Sequence, residues 1–242
     1  MTLPKISTPT YELELPSTGK TIKYRPFLVK EEKILLLALE SQDTKQITIA
    51  IKNVLKECIL TRGIKVEELP SFDIEYIFLN VRGKSVGESI DLIITCSDDN
   101  ETQVPVTIYI DEIKVQKNEN HSCDVCLDTN LTLRMKYPSL DQFIKSNFDF
   151  SENKTISNID ESFEIIASCM DVVFTKEDSW AAADCTKKEL KEWIETMDAK
   201  QFKMVETFFE TMPMLSHTIK VKNPKTDIES EVTLEGLTSF FG

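Results

Sequence analysis

The stretch "LPSTGKT" (Leu15 to Thr21) contains the residues that come closest to a known chemical motif. Gly19, Lys20 and Thr21 match the end of the phosphate-binding pattern G-x-x-x-x-G-K-[ST], in which backbone N–H groups surround phosphate oxygens and a helix follows. The first glycine of that pattern is replaced by Glu14, whose carboxylate would repel phosphates. The following "TIKYRP" alternates as a strand does and ends at Pro26, so a nucleotide site is disfavoured.

The same stretch also contains "LPSTG", the pattern of a sortase anchoring signal. That signal requires a C-terminal position followed by an apolar tail, and here it lies near the N-terminus without such a tail. "YELELP" and "TIKYRP" both alternate, and "STG" between them has the composition of a turn. The sequence therefore predicts a β-hairpin with Gly19 at its bend.

The cysteines suggest a metal site only weakly. Cys123 and Cys126 form one C-x2-C pair, and His121 and Cys96 could complete a set of four zinc ligands. However, Cys96 has no second cysteine beside it, and a redox C-x-x-C would be expected at the start of a helix. We predict free thiols, with no bound metal and no cofactor.

Catalytic side chains are scarce. The chain has only two histidines, His121 and His217, and it lacks the G-x-S-x-G nucleophile elbow. "SDDNE" resembles part of a calcium loop, but it lacks the central glycine and has Ile110 where the last acidic ligand should stand. We predict no catalytic residues, and a small metal- or nucleotide-binding enzyme is the weakest of the alternatives.

The bulk composition narrows the class of protein. The chain has 242 residues, of which 41% are hydrophobic and 29% charged, with a net charge of -13. This acidity disfavours nucleic-acid binding and suits a basic protein partner. No signal peptide is recognisable, the longest apolar run (Ile34 to Leu39) is too short for a membrane span, and six cysteines indicate a reducing cytoplasm. We therefore expect neither a membrane nor a small-molecule substrate as partner.

The hydrophobic periodicity predicts helices, then strands, in the first 137 residues. Helices are predicted for Phe27–Ser41, Thr44–Leu60 and Leu69–Val81, the second of them with a buried apolar stripe. Between positions 88 and 110 the period changes to two, which predicts a half-buried hairpin. "LTLRMKY" (Leu131 to Tyr137) is predicted to join the same sheet after a polar loop.

The last hundred residues are predicted to be mainly helical. An apolar stripe runs from Ile156 to Val173, and a capping box at Thr186 and Glu189 opens a long helix that ends near Met212. A short hairpin around Pro224 closes the chain. The predicted fold is α+β, with an N-terminal hairpin and helices (1–87), a central antiparallel sheet (88–137) and a helical C-terminal half (138–242), as three regions or one continuous domain.

Four blocks of the sequence resemble the T4-like bacteriophage baseplate hub assembly family: "LELPSTGKTIKYRPFLVKEEKILLLALES", "LPSFDIEYIFLNVRGKSVGE", "MKYPSL" and "FFETMPMLSHTIKV…VTLEGLTSFFG". They occur in the family's order and span nearly the whole chain. The resemblance implies a non-enzymatic tail-assembly factor that binds and helps build the central baseplate hub of a contractile-tailed phage. The alternative is a structural hub subunit retained in the virion.

The resemblance implies phage baseplate hub or tail proteins as partners, met in the host cytoplasm during assembly or in the virion baseplate. We predict that the partner contacts come from the N-terminal hairpin and from the terminal phenylalanines: Pro16, Gly19, Lys20, Arg25, Phe240 and Phe241. Deletion of Thr238 to Gly242 is then expected to weaken binding while leaving the fold intact.

Overall fold

The computed structural model describes residues 6–142, 144 and 158–240. These residues form an α+β fold of helices and small antiparallel sheets. The helices are α1 (Val29–Glu40), α2 (Thr44–Cys58), α3 (Ser71–Val86), α4 (Asn158–Cys169), α5 (Lys187–Glu195) and α6 (Ala199–Thr211). The strands are β1 (Tyr11–Glu14), β2 (Thr21–Tyr24), β3 (Ser89–Thr95), β4 (Gln103–Tyr109), β5 (Lys114–Gln116), β6 (Asp124–Cys126), β7 (Thr132–Met135), β8 (Met170–Phe174), β9 (Ser179–Ala181), β10 (Met214–Lys222) and β11 (Glu229–Glu235).

The strands of the described residues form four antiparallel sheets. Two are hairpins, β1-β2 and β3-β4, and the others have the strand orders β11-β10-β5 and β6-β7-β8-β9. The order β11-β10-β5 joins the C-terminal hairpin to the first half of the chain, since Leu215 pairs with Val115. The C-terminal hairpin is therefore held against a strand near the middle of the chain.

The N-terminal hairpin forms as its alternation indicates. Leu13 pairs with Ile22, and both side chains are buried while their neighbours face solvent. Gly19 bends the turn with a φ of +69°, a left-handed conformation that glycine adopts without strain. The outer edge of β2 is covered by the end of α2, because Arg25 donates its backbone N–H to the carbonyl of Cys58 at 2.9 Å.

The buried hydrophobic side chains of the described residues form two separate cores. The first core takes side chains from Leu13 to Ile113, then Leu140 and Ile144, and finally Leu215 to Phe240. The second core takes side chains from Val125 to Phe208. The second core is thus built from chain that lies between the two main contributions to the first. The boundaries at residues 87 and 137 stay a prediction.

The predicted helical C-terminal half is wrong. Four strands, β8 to β11, lie after residue 138 among the residues described. The stripe that ended at Val173 predicted one helix, but α4 stops at Cys169 and Met170–Phe174 pairs with β7 as a strand. Ile156 at the start of that stripe lies outside the described residues. The β-branched Val172 and Val173 favour the extended conformation once a neighbouring strand is available.

The predicted long helix from Thr186 to Met212 is two helices. The capping box of Thr186 and Glu189 opens α5, where the Thr186 N–H donates to the Glu189 carboxylate at 2.7 Å. A second capping box follows in "DAKQ" and opens α6. There the carboxylate of Asp198 accepts the backbone N–H of Gln201 at 2.8 Å. This second N-cap starts a new helix direction, which the apolar spacing alone did not reveal.

The predicted central sheet is also wrong in its pairing. Strand β7 does not join β3 and β4; it pairs with β6 and β8. The predicted polar loop between positions 117 and 130 contains β6, a three-residue strand with only Val125 buried. The closing hairpin around Pro224 is confirmed, with a nine-residue β10 paired to a seven-residue β11.

Candidate interaction surfaces

The turn of the N-terminal hairpin is fixed to helix α3. Ser17 donates its backbone N–H to the carboxylate of Asp73 at 3.0 Å, and its hydroxyl donates to the other carboxylate oxygen. Asp73 is fully buried, and burial raises its pKa although the bonds from Ser17 oppose that rise. Gly19 and Lys20 are exposed and Pro16 is half-buried, so this rigid turn presents those residues outward.

Arg25 is occupied inside the molecule. Its guanidinium donates to both carboxylate oxygens of Glu31, at 2.9 and 3.1 Å, and to the carbonyl of Pro26 at 3.0 Å. The side chains of Arg25 and Glu31 are only 12% and 3% exposed. The hydrogen bond to Glu31 raises the pKa of Arg25. Burial alone would raise the pKa of Glu31, but the bonds from Arg25 and Leu28 hold it below its ordinary value.

Of the two phenylalanines near the C-terminus, only Phe240 is among the described residues. Phe240 has no exposed surface and belongs to the first core. Phe241 lies outside the described residues. The six predicted contact residues are therefore not one surface: the turn is exposed, Arg25 is paired and Phe240 is packed inside. Their contact with a partner stays a prediction.

Helix α1 exposes aliphatic side chains that sequence reasoning did not single out. Glu31 and Ala38 face the first core, with Leu35 and Leu39 partly buried beside them. Four aliphatic residues face solvent, Val29 at 82% exposure and the others at about half: Val29, Ile34, Leu36 and Leu37, hereafter the α1 face. The signal was present in "ILLLAL", because six consecutive apolar residues surround a helix rather than filling one side.

Two lysines border the α1 face. Lys30, Lys33, Ile34 and Leu37 follow the spacing i, i+3, i+4, i+7 and therefore lie along one side of the helix. Lys30 lies 3.3 Å from the Glu31 carboxylate, and both lysine side chains are exposed. Lysine is depleted at protein interfaces, so the exposed aliphatic side chains of α1, and not Lys30 and Lys33, are the feature typical of a contact surface.

The candidate zinc ligands do not converge. All six cysteines are free, and the described residues contain no group of three or more histidine, cysteine or acidic side chains placed to hold a metal ion. Cys123 and Cys126 lie three residues apart at β6, and strand side chains that far apart point to opposite faces.

His121 packs against aromatic rings at the second core. Its Nδ1 lies 2.9 Å from the hydroxyl of Thr211, and its ring stacks on Tyr137 at a centroid distance of 5.6 Å. Phe208 of the second core contacts both rings. Burial lowers the pKa of His121. These contacts give the half-buried His121 a packing role beside the second core.

No helix within the described ranges combines the length and the hydrophobicity that a membrane span requires.

The fold and its surfaces define an α+β protein with two cores and an exposed aliphatic helix face. A family model described as "T4 bacteriophage base plate protein" matches residues 8–242, and the chain therefore belongs to that family. The resemblance to T4-like baseplate proteins is thereby confirmed. No curated protein and no solved structure matches the chain.

Family membership defines the role in coarse terms. The protein has a structural or assembly role in a phage baseplate, and the family points to a non-enzymatic protein. It also implies association with other baseplate or tail proteins and with the virion. A surface that binds such a protein is therefore the functional site to seek.

Proposed function

We propose that this protein is a non-enzymatic assembly factor that binds a hub component through the α1 face and helps build the central hub of the baseplate. The observation that supports this proposal is the exposure of four aliphatic side chains on one short helix of a baseplate-family protein. Apolar side chains that are exposed to water favour binding, because covering them with a partner lowers the free energy.

The free energy expected from burying the α1 face is too small to hold a partner without additional contacts. Covering the exposed half of four aliphatic side chains is worth on the order of 4 kcal/mol, taking about 1 kcal/mol for each. Association of two proteins costs at least about 4 kcal/mol in lost translational and rotational freedom. The α1 face therefore requires neighbouring contacts, and the hairpin turn with Gly19 and Lys20 is exposed to supply them.

The test is co-expression with the hub proteins of the same phage. We expect the tagged protein to co-purify with one hub component in a defined ratio, as measured by pull-down and by light scattering of the complex. Failure to bind any hub or tail protein would contradict the proposed function.

A second candidate function is that of a structural hub subunit retained in the virion, which the family's baseplate description favours. Mass spectrometry of purified particles separates the two. An assembly factor that acts in the host cytoplasm is expected to be absent from mature particles, whereas a structural subunit is present at a fixed copy number.

A further inference from the structure

Strand β9 lies at the edge of its sheet, where a further strand could pair with it. It is the last strand of the sheet β6-β7-β8-β9, and all three of its residues are exposed. Thr175 donates its N–H to the carbonyl of Asp178 at 2.8 Å, so that pair is hydrogen-bonded. Hydrogen-bonded and non-hydrogen-bonded pairs alternate in an antiparallel ladder. Trp180 is therefore bonded to Val173, and Ser179 and Ala181 turn their backbone groups toward the open edge. The Ala181 carbonyl accepts a long bond there from the Cys185 thiol at 3.8 Å, which an added strand would replace.

An apolar groove lies beside this edge. It has a volume of about 480 Å³ and includes both tryptophans of the chain, Trp180 and Trp193. Its other lining residues come from the sheet, from α5 and from the segment between them: Leu131, Met170, Val173, Ala182, Cys185, Glu189 and Leu190. Ligand grooves in proteins have this composition, with large apolar walls and few polar groups.

The groove continues the second core out to the edge of the sheet. The strand register places Val125, Leu133, Val173 and Trp180 in one row across the sheet. The first three are buried, whereas Trp180 is 52% exposed. A strand added beside β9 would continue this row with one more side chain, which would cover Trp180.

The charges around β9 indicate the partner's composition. Within three residues of the strand's ends stand three carboxylates, Glu177, Asp178 and Asp184, and one lysine, Lys176, which together leave a net charge of -2. All four are exposed, and none of them has an ion pair in the part of the chain that the structure describes. A partner with lysine or arginine at these ends would be attracted. A second copy of the chain would bring the same carboxylates together, which disfavours β9-to-β9 dimerisation.

We propose that β9 and the groove bind an extended segment of a partner protein by strand addition. The segment has a bulky apolar side chain that packs on Trp180 and basic residues on either side. Backbone hydrogen bonds to Ser179 and Ala181 supply affinity, and the groove supplies selectivity. This inference rests on the proposed function for the source of the segment, which is a baseplate or tail protein of the phage.

The experiment probes the whole chain with overlapping twelve-residue peptides that tile the baseplate and tail proteins of the same phage. We expect the bound peptides to share an apolar, β-favouring run flanked by lysine or arginine. Because both tryptophans line the groove, their fluorescence should shift when such a peptide binds in solution. The shift then measures the dissociation constant directly.

Substitutions at two positions distinguish strand addition from non-specific hydrophobic binding. Ala181 has a φ of -76°, which proline accepts, so Ala181→Pro removes the outward N–H without bending the chain. We expect it to weaken binding about fivefold, the worth of one hydrogen bond, while Ala181→Ser, which keeps the N–H, leaves binding unchanged. Trp180→Ala should weaken binding roughly thirtyfold or more, as loss of an aromatic anchor does.

Each outcome decides the inference. Binding that survives both Trp180→Ala and Ala181→Pro would overturn it, as would bound peptides that are acidic or an array with no bound peptide. If the wild-type chain forms dimers and Ala181→Pro abolishes them, the edge of β9 binds a second copy of the chain, and the inference is overturned. Capture of an intact hub protein by the wild-type chain and equally by both variants would leave the proposed function standing while removing this site.

Discussion

The N-terminal hairpin and helix α1 are neighbours in the sequence, but their side chains are used in opposite ways. The polar Ser17 and Arg25 of the hairpin segment are bonded internally, to Asp73 and Glu31. The aliphatic Leu36 and Leu37 of α1 face solvent. In this part of the chain, Ser17 and Arg25 therefore stabilise the fold, while Leu36 and Leu37 add to the exposed surface.

The two regions are also connected. Glu31 lies in the first turn of α1, where it accepts the N–H of Leu28 at 2.6 Å as well as the guanidinium of Arg25. This carboxylate caps the helix and fixes it to the end of β2 at once. The hairpin thus orients the α1 face, and substitution of the internally bonded Arg25 should affect partner binding through the loss of structure.

The largest effect on stability should come from the core that supports both regions. Phe240 has no exposed surface, so Phe240→Ala should lower the free energy of unfolding by about 3 to 5 kcal/mol, and deletion of Thr238 to Gly242 by at least as much. Urea denaturation measures this, with Ile6→Ala at a 94% exposed position as the control.

This revises the expectation from sequence that the deletion leaves the fold intact. If Phe240→Ala left the unfolding midpoint unchanged and only weakened partner binding, the terminal phenylalanine would be a contact residue and not a core residue.

The ion pair between the two regions should rank close behind. Arg25→Met leaves the buried Glu31 carboxylate with only the exposed Lys30 as a cationic partner, which should cost about 3 kcal/mol. The double variant Arg25→Met with Glu31→Gln removes this poorly compensated charge and keeps an acceptor for Leu28, so it should be more stable than Arg25→Met alone. Urea denaturation of both variants tests this, and an equal loss would show that the charge pair does not link the regions.

A smaller effect is expected on the pH dependence of stability, to which the buried carboxylates of Glu31 and Asp73 contribute with opposite signs. The folded-state pKa of Glu31 is depressed, so its stabilisation is present above its ordinary value of 4.5 and is lost as the pH falls through the folded value. The folded-state pKa of Asp73 is raised above 3.8, so its contribution to stability grows as the pH falls through that window.

Urea unfolding of the two single variants from pH 7 to pH 3 measures these opposite signs. Glu31→Gln should lose less stability than the wild type on acidification, and Asp73→Asn should lose more. Parallel curves for the two variants would contradict the assignment of the hairpin's anchors.

The sequence predicted the features that local spacing determines. The bend at Gly19, the buried stripe from Ile47 to Cys58 and the capping box at Thr186 are all signals within a few residues. The sheet of the second core was missed because its pairings join distant segments, such as Leu133 with Val173. A five-residue strand with two apolar positions three apart fits a helical stripe equally well.

The same limit applied to the candidate surfaces. Arg25 and Glu31 lie six residues apart, which is not a spacing that either a helix or a strand brings together. Arg25 was therefore predicted to be a contact residue. The α1 face was readable in principle from the unbroken apolar run at Ile34 to Leu39. The groove at Trp180 depends on which strand ends the sheet, and composition alone does not reveal that.

The most direct test of the account is the double substitution Leu36→Lys with Leu37→Lys on the α1 face, with Ile93→Lys as the matched control. Ile93 is also an exposed aliphatic side chain, but it lies on β3, away from the proposed contact. Each variant should unfold within about 0.5 kcal/mol of the wild type, as exposed substitutions do. Co-purification with the hub component should be lost for the double variant and kept for the control. A double variant that folds and binds the hub as well as the wild type does would contradict the central claim.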